Sequence, residues 1–307
     1  MPSTQRKIMA ARDKRKKKNP AGFTERQLKL LLNYCYAARQ NPKVPVAKIH
    51  RDYSSYVRRK SVADTIDKAY ERTVISGPEL FVNSGIEVSL IRDVDNPREF
   101  FENCKKDKKT SLAFVSHEYW RIFLCKSGAN TLQYHDSILP NNGPISDKKI
   151  EKIFFEEKGT LPVDLYPHRW FEEHWKIYYC MKYPRNITFR EAGKELGINW
   201  VSVRDYFLET LEQCKIMTNF FPLGTEAYSP LIVTFKTDYE TGIARGLKTL
   251  NRTTYLYKAD NTIILMLCIS PKPREQNHLA DKFQRLEEMG LISDLHISTP
   301  YDWWKLF

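Results

Sequence analysis

The chain has 307 residues, 42% of them apolar and 28% charged, which is enough for two hydrophobic cores and excludes a disordered polypeptide. A net charge of +12 and a pI near 9.3 point to an acidic partner. No apolar run reaches the roughly 18 residues of a bilayer span, no secretory signal opens the chain, and the six cysteines stand singly, which argues against a membrane protein, a disulfide framework and a zinc ribbon.

Residues 1–22 read as a disordered basic arm. Its first twenty residues hold eight Lys or Arg, including Lys14, Arg15, Lys16, Lys17 and Lys18, against the single acid Asp13. Helices are predicted over 24–39, 46–53 and 60–72, with the basic stretch Arg58-Arg59-Lys60-Ser61 leading into the third. An extended segment over 73–82 then reads as a two-stranded wing, which bounds a winged helix-turn-helix at 23–82. A ferredoxin-like βαββ run follows: strand 87–92, helix 97–105, strand 111–115 and strand 119–125. The end of this unit, at 83–165, is read as turns over 128–142, a helix over 148–157 and a short strand at 161–165 interrupted by Pro162.

The same order then returns. Ser61-Val62-Ala63-Asp64 matches Ser202-Val203-Arg204-Asp205, 141 positions later, and Thr110 through Cys125 aligns with Thr253 through Cys268, 143 positions later. The second winged helix-turn-helix is placed at 166–225, beginning with an aromatic helix over 168–182. Thr188 and Glu191 have the spacing of a capping box for a helix over 189–196, Gly197 supplies a left-handed turn, and Asn199 caps a helix from Trp200 to about Gln213. Gly193 lies where the two helices must approach, and Ile198 and Val203 point inwards. Residues 215–223 read as a second wing. The second ferredoxin-like domain, 226–307, reads as strand 230–236, helix 241–250, strands 253–258 and 262–269, helix 276–289 and strand 291–298. Its aromatic end, Tyr301 to Phe307, either packs back on a sheet or docks a partner, and packing is favoured because exposed aromatic clusters are rare.

Gly193-Lys194-Glu195-Leu196-Gly197-Ile198 with Val203, followed by this order of strands and helices, resembles the leucine-responsive regulatory protein (Lrp/AsnC) family of bacteria and archaea, doubled within one chain. The fold class expected is α+β: two tandem modules, each a winged helix-turn-helix followed by a ferredoxin-like antiparallel βαββαβ domain. The resemblance implies a transcription regulator, cytoplasmic and nucleoid-associated, whose sheet domains self-associate. It departs from the family at the turns Ser116-His117-Glu118 and Lys258-Ala259-Asp260-Asn261, which lack the glycine usual near a bound amino acid, so a small-molecule effector is not expected.

On this reading the partner is double-stranded DNA. The basic arm with Arg58, Arg59, Lys60 and Ser61 would hold phosphates, and Asn199, Trp200, Ser202, Arg204 and Asp205 would read bases. Two alternatives remain open from the same elements, a plasmid-type replication initiator and a winged-helix protein-interaction factor. His168 and His174 are six positions apart, not the i, i+4 pair of a zinc helix. No phosphate loop, nucleophile elbow or clustered carboxylates appear, so neither cofactor, metal nor enzymatic activity is expected.

Overall fold

The structure is a computed structural model, which describes residues 18–141, 157–269 and 273–306. The first half opens with α1 (Glu25–Gln40), α2 (Val46–Tyr53) and α3 (Arg59–Glu71), followed by β1 (Ile75–Phe81). Thr24 and Gln27 close a capping box at the start of α1. This helix is apolar around most of its circumference, with Leu28, Leu30, Leu31, Leu32, Tyr34 and Cys35 all buried, because it is enclosed by α2 and α3 on one side and by a strand from the other half on the other. Next come β2 (Ile86–Ile91), α4 (Pro97–Lys106), β3 (Thr110–Ser116), β4 (Ile122–Ser127) and β5 (Leu132–Ile138).

The second half repeats the order. Its winged helix has α5 (Glu172–Cys180), α6 (Phe189–Leu196), α7 (Trp200–Leu211) and β6 (Lys215–Phe220). The Thr188–Glu191 capping box forms, Gly197 takes a φ of 68°, and the Asn199 side chain accepts from the Val201 amide at 2.9 Å. A Cβ at Gly193 would lie 2.7 Å from the Ile198 carbonyl oxygen, so only glycine lets α6 and α7 approach. The ferredoxin-like unit follows as β7 (Ser229–Lys236), α8 (Glu240–Leu247), β8 (Thr254–Ala259), β9 (Thr262–Ile269), α9 (Pro273–Glu288) and β10 (Ser293–Ser298), and the chain ends in β11 (Pro300–Lys305). The fold is thus the α+β architecture of winged helices with antiparallel ferredoxin-like sheets.

Each half lends strands to the other. Instead of two separate two-stranded wings over 73–82 and 215–223, each winged helix contributes one strand, and β1 pairs with β6 as a shared antiparallel ribbon. The larger sheets run β10-β7-β9-β8-β5 and β11-β3-β4-β2. In the first, β5 of the first half lies against β8 of the second; in the other, β11 from the C-terminus lies against β3. The aromatic tail therefore packs as a sheet edge.

Two expectations for the end of the first half need correction. Residues 132–138, read as turns, form β5. Residues 161–165, read as a closing strand, form none: Pro162 offers no amide, and the edge of β8 is already occupied. The helix expected over 148–157 lies outside the described residues except at Glu157. The inner faces of the two sheets meet in a core containing Phe114, Phe123, Ile232, Tyr257, Ile264 and Met266, while α8 and α9 cover the outer face of the five-stranded sheet.

Candidate functional site

The residues expected to bind DNA are exposed but poorly matched to a polyanion. Arg58, Arg59 and Lys60 project from the start of α3 and Ser61 is half-buried, but within α3 Asp64, Asp67 and Glu71 offset Arg59, Lys60 and Lys68. On α7 the lone Arg204 is held by Asp205 at 2.8 Å, and Glu209 adds a further negative charge to the same helix. Trp200 is 43% exposed, with the guanidinium groups of Arg190 and Arg204 each 6.0 Å from its ring centre. Ser202 is half-buried, and Asn199 uses its side-chain oxygen on the cap. Lys18 is exposed; Lys14, Arg15, Lys16 and Lys17 lie outside the described residues. His174 is buried, accepting from the Phe171 amide at 3.2 Å and facing Glu209 at 2.9 Å, while His168 is exposed. Among the described residues no group of three His, Cys, Asp or Glu is placed to hold a metal ion.

A different feature has the shape of a site. Where β5 forms the edge of the five-stranded sheet, α8 stops short of covering it, leaving a cavity of about 250 Å³ lined by Tyr134, Asp136, Ile138, Leu161, Thr241, Ala244, Arg245 and Lys248. The alternation of β5 sends Tyr134, Asp136 and Ile138 to this side. One turn of α8 apart, Ala244 and Lys248 share a face, with Arg245 beside them. Arg245 reaches Glu157 at 2.6 Å with its side chain three-quarters exposed, and Lys248 has no carboxylate partner among the described residues. Arg39 comes from α1 to meet Asp136 at 3.4 Å, and also donates to the Ser137 hydroxyl at 2.6 Å and to Thr218 Oγ1 at 3.2 Å, tying the first winged helix to the groove wall.

Next to the groove, at the start of α8, lies a buried ion pair, while the buried hydroxyl of Thr241 in the lining has no protein partner. Glu240, at the start of α8, accepts from Lys258 Nζ at 2.8 Å and from the Leu161 amide at 2.8 Å, and both charged side chains are buried. Tyr134 is 8% exposed; burial, followed by the Asp136 and Asp164 charges, raises its pKa and keeps the phenol protonated, with Lys215 Nζ 3.7 Å from the ring centre. The arrangement gives one cation without a carboxylate partner among the described residues, Lys248, and a three-quarters exposed Arg245 that a ligand carboxylate can take over from Glu157, with apolar surface from Ile138, Leu161 and Ala244 and one protonated hydroxyl at the edge strand. None of this was evident in the sequence. Residues 134–138 sit between turn-rich segments, and Arg245 and Lys248 resemble ordinary surface charges; only the repeat, which pairs them with Glu102 and Lys105, could have singled them out.

No family model matches the chain, and no curated protein matches it in sequence. Among solved structures, the crystal structure of the siroheme decarboxylase NirDL matches over 91% of this chain and 92% of its own, at 13% identity and a TM-score of 0.51. A second structure of that enzyme, in co-complex with an iron-uroporphyrin III analogue, matches at 11% identity with a TM-score of 0.48, covering 89% of this chain and 92% of its own.

The likeness to Lrp/AsnC proteins therefore holds for the fold and stops there. The expectation of a DNA-binding transcription regulator without enzymatic activity is overturned by this match, because the structure that follows the chain through both halves is that of an enzyme named for a siroheme substrate. Double-stranded DNA as partner falls with that expectation, and association with the nucleoid is left without support. Among the described residues no helix is long and apolar enough to cross a membrane.

Proposed function

We propose that this chain is an enzyme that binds a polycarboxylate tetrapyrrole and removes carboxyl groups from it. The observation that carries the reading is the groove between α8 and β5, where Arg245 and Lys248 line an apolar recess beside a protonated tyrosine and Arg39 braces the wall through Asp136. The end-to-end likeness to a siroheme decarboxylase supports it at the level of fold. At about 250 Å³ the cavity is smaller than the roughly 300–1,000 Å³ of pockets that enclose a whole ligand, so it takes one carboxylate-bearing edge of the macrocycle and leaves the remainder outside.

In this reading Arg245 and Lys248 bind substrate carboxylates that are retained, Arg245 by a two-pronged contact and Lys248 as a point charge. The carboxylate to be lost sits against Ile138, Leu161 and Ala244, where poor solvation favours the uncharged product, carbon dioxide. The bond between the side-chain carbon and the carboxyl carbon breaks, carbon dioxide leaves, and the electron pair stays on the side-chain carbon conjugated with the macrocycle. The Tyr134 hydroxyl delivers a proton to that carbon, and solvent restores the phenol. At rest the Tyr134 hydroxyl donates its hydrogen to Asp136 at 3.5 Å, and it turns from this long contact to the substrate carbon.

The test is incubation of the purified protein with iron-uroporphyrin or siroheme, followed by mass spectrometry of the tetrapyrrole. Loss of 44 mass units per step, abolished in Tyr134→Phe while binding persists, is the expected result (44 is the mass of one carbon dioxide, about a single turnover's signature). Tight binding with no mass change would leave a tetrapyrrole carrier and remove the catalytic role of Tyr134.

A further inference from the structure

The repeat supplies a second copy of the groove against which the first can be judged. A constant shift of 143 residues carries the start of β2, Ile86, onto Ser229 of β7 and the start of α4, Pro97, onto Glu240 of α8. The lent edge strands correspond as well. Asp136 stands opposite Leu256 as Trp304 stands opposite Ala113, and Tyr134 opposite Lys258 as Asp302 opposite Val115. Even the irregularities coincide, between Leu132 and Tyr134 in one strand and between Pro300 and Asp302 in the other. The groove positions Thr241, Ala244, Arg245 and Lys248 therefore have Arg98, Phe101, Glu102 and Lys105 as their counterparts.

In the first unit that crevice is filled. Phe101, fully buried, stands where Ala244 leaves room, and Trp304, at the position of Asp136, packs into the same cluster with Ala113 and Val115. The charges are satisfied among themselves: Arg98 meets Asp302 at 2.7 Å and Glu102 at 3.5 Å, and Lys105 meets Glu102 at 2.6 Å. The charge that answers Arg245 is reversed to Glu102. Both crevices carry a carboxylate near the mouth, so charge alone does not separate them; the two large aromatic side chains leave no room for a ligand in the first.

We infer that each chain holds one ligand, in its second half, and that residue 244 decides this: alanine opens the crevice between helix and edge strand, whereas the aromatic at the equivalent position 101 closes it. The first half then serves as a scaffold that lends β5 to the groove. The inference rests on the groove being the tetrapyrrole site. The probe is metal-free uroporphyrin, titrated into the whole 307-residue chain and followed by its absorbance, with wild type beside Ala244→Phe and the milder Ala244→Leu, and thermal unfolding recorded for each. The expected result is one equivalent bound by wild type and affinity lowered about tenfold or more in both folded variants, the larger loss with phenylalanine. Two equivalents per chain, or one equivalent bound undiminished by either folded variant, would overturn the inference and leave tetrapyrrole binding standing. No binding by wild type would remove the substrate class and the inference together.

Discussion

His135 is only 8% exposed, stacked on Tyr257 with ring centres 4.1 Å apart and met edge-on by Phe81 at 4.8 Å. Burial, and then the charges of Lys215 and Lys305, push its pKa well below the usual 6.5, so the folded protein keeps it neutral. The unfolded chain takes up a proton near pH 6.5 that the folded one refuses, so stability is complete above that pH and falls as the pH drops through it, by at most about 1.4 kcal/mol per pH unit. Melting temperatures recorded from pH 7.5 down to about 4.5 should show this slope, and His135→Phe should remove it, because the half-buried carboxylate Glu79, raised by burial but held below the ordinary range by Lys305 and Lys182, gives up its stabilisation only as the pH falls below about 4.5. The equivalent position in the other half is Trp303, which also stacks on its cross-strand neighbour, Phe114, but at a site 54% exposed. A second residue-scale consequence concerns Glu240 and Lys258, buried together at 2.8 Å. Glu240→Gln leaves an ammonium uncompensated beneath the groove and should cost about 3–5 kcal/mol by urea denaturation, whereas the exposed Arg204–Asp205 pair contributes under about 1 kcal/mol.

At the scale of elements, what could be read from the sequence was what the chain decides locally. The Thr188–Glu191 box, the left-handed Gly197 and the Asn199 cap involve residues a few positions apart, and each formed as its side-chain chemistry requires. What could not be read was which strand pairs with which, since an edge strand of alternating character fits any free edge of suitable register. Hence the sequence of β5 reads as turns and the two strands of the shared ribbon read as separate wings. The charge pattern misleads for a related reason: the net charge of +12 counts every cation, but α3 carries as many acids as cations and the single Arg204 of α7 is paired with Asp205. The pairing of β11 with β3 carries its own prediction. Ending the chain after Thr299 removes Trp303 and Trp304, breaks the 2.7 Å contact between Lys305 and Glu79, and bares the backbone edge of β3. Size-exclusion chromatography of that truncated protein should show aggregates or edge-paired dimers, and a profile unchanged from wild type would mean that β11 does not protect the sheet.

At the scale of the whole molecule the two halves cannot be pulled apart without breaking sheets. The β1–β6 ribbon joins the winged helices, β5 completes the sheet of the second half and β11 that of the first, and α1 of the first half packs against β6 of the second. Arg39 and Asp136 extend this linkage to the groove, whose edge strand belongs to one half and whose helix to the other. A chain built this way is the covalent equivalent of a dimer that exchanges strands, and its site exists only when both parts are present. Unfolding should therefore be a single transition, with near-ultraviolet circular dichroism and intrinsic fluorescence superimposing. Separating the chain between residues 141 and 157 gives the sharper test. Each half expressed alone lacks an edge strand for its own sheet and exposes the partner surface of the ribbon, so each should be insoluble or bind a hydrophobic dye. Expressed together they should assemble one to one, and the groove should recover uroporphyrin binding, since both of its walls are then in place. If the second half alone folded and bound the tetrapyrrole, β5 would be no part of the site and the exchange would be a device of stability only.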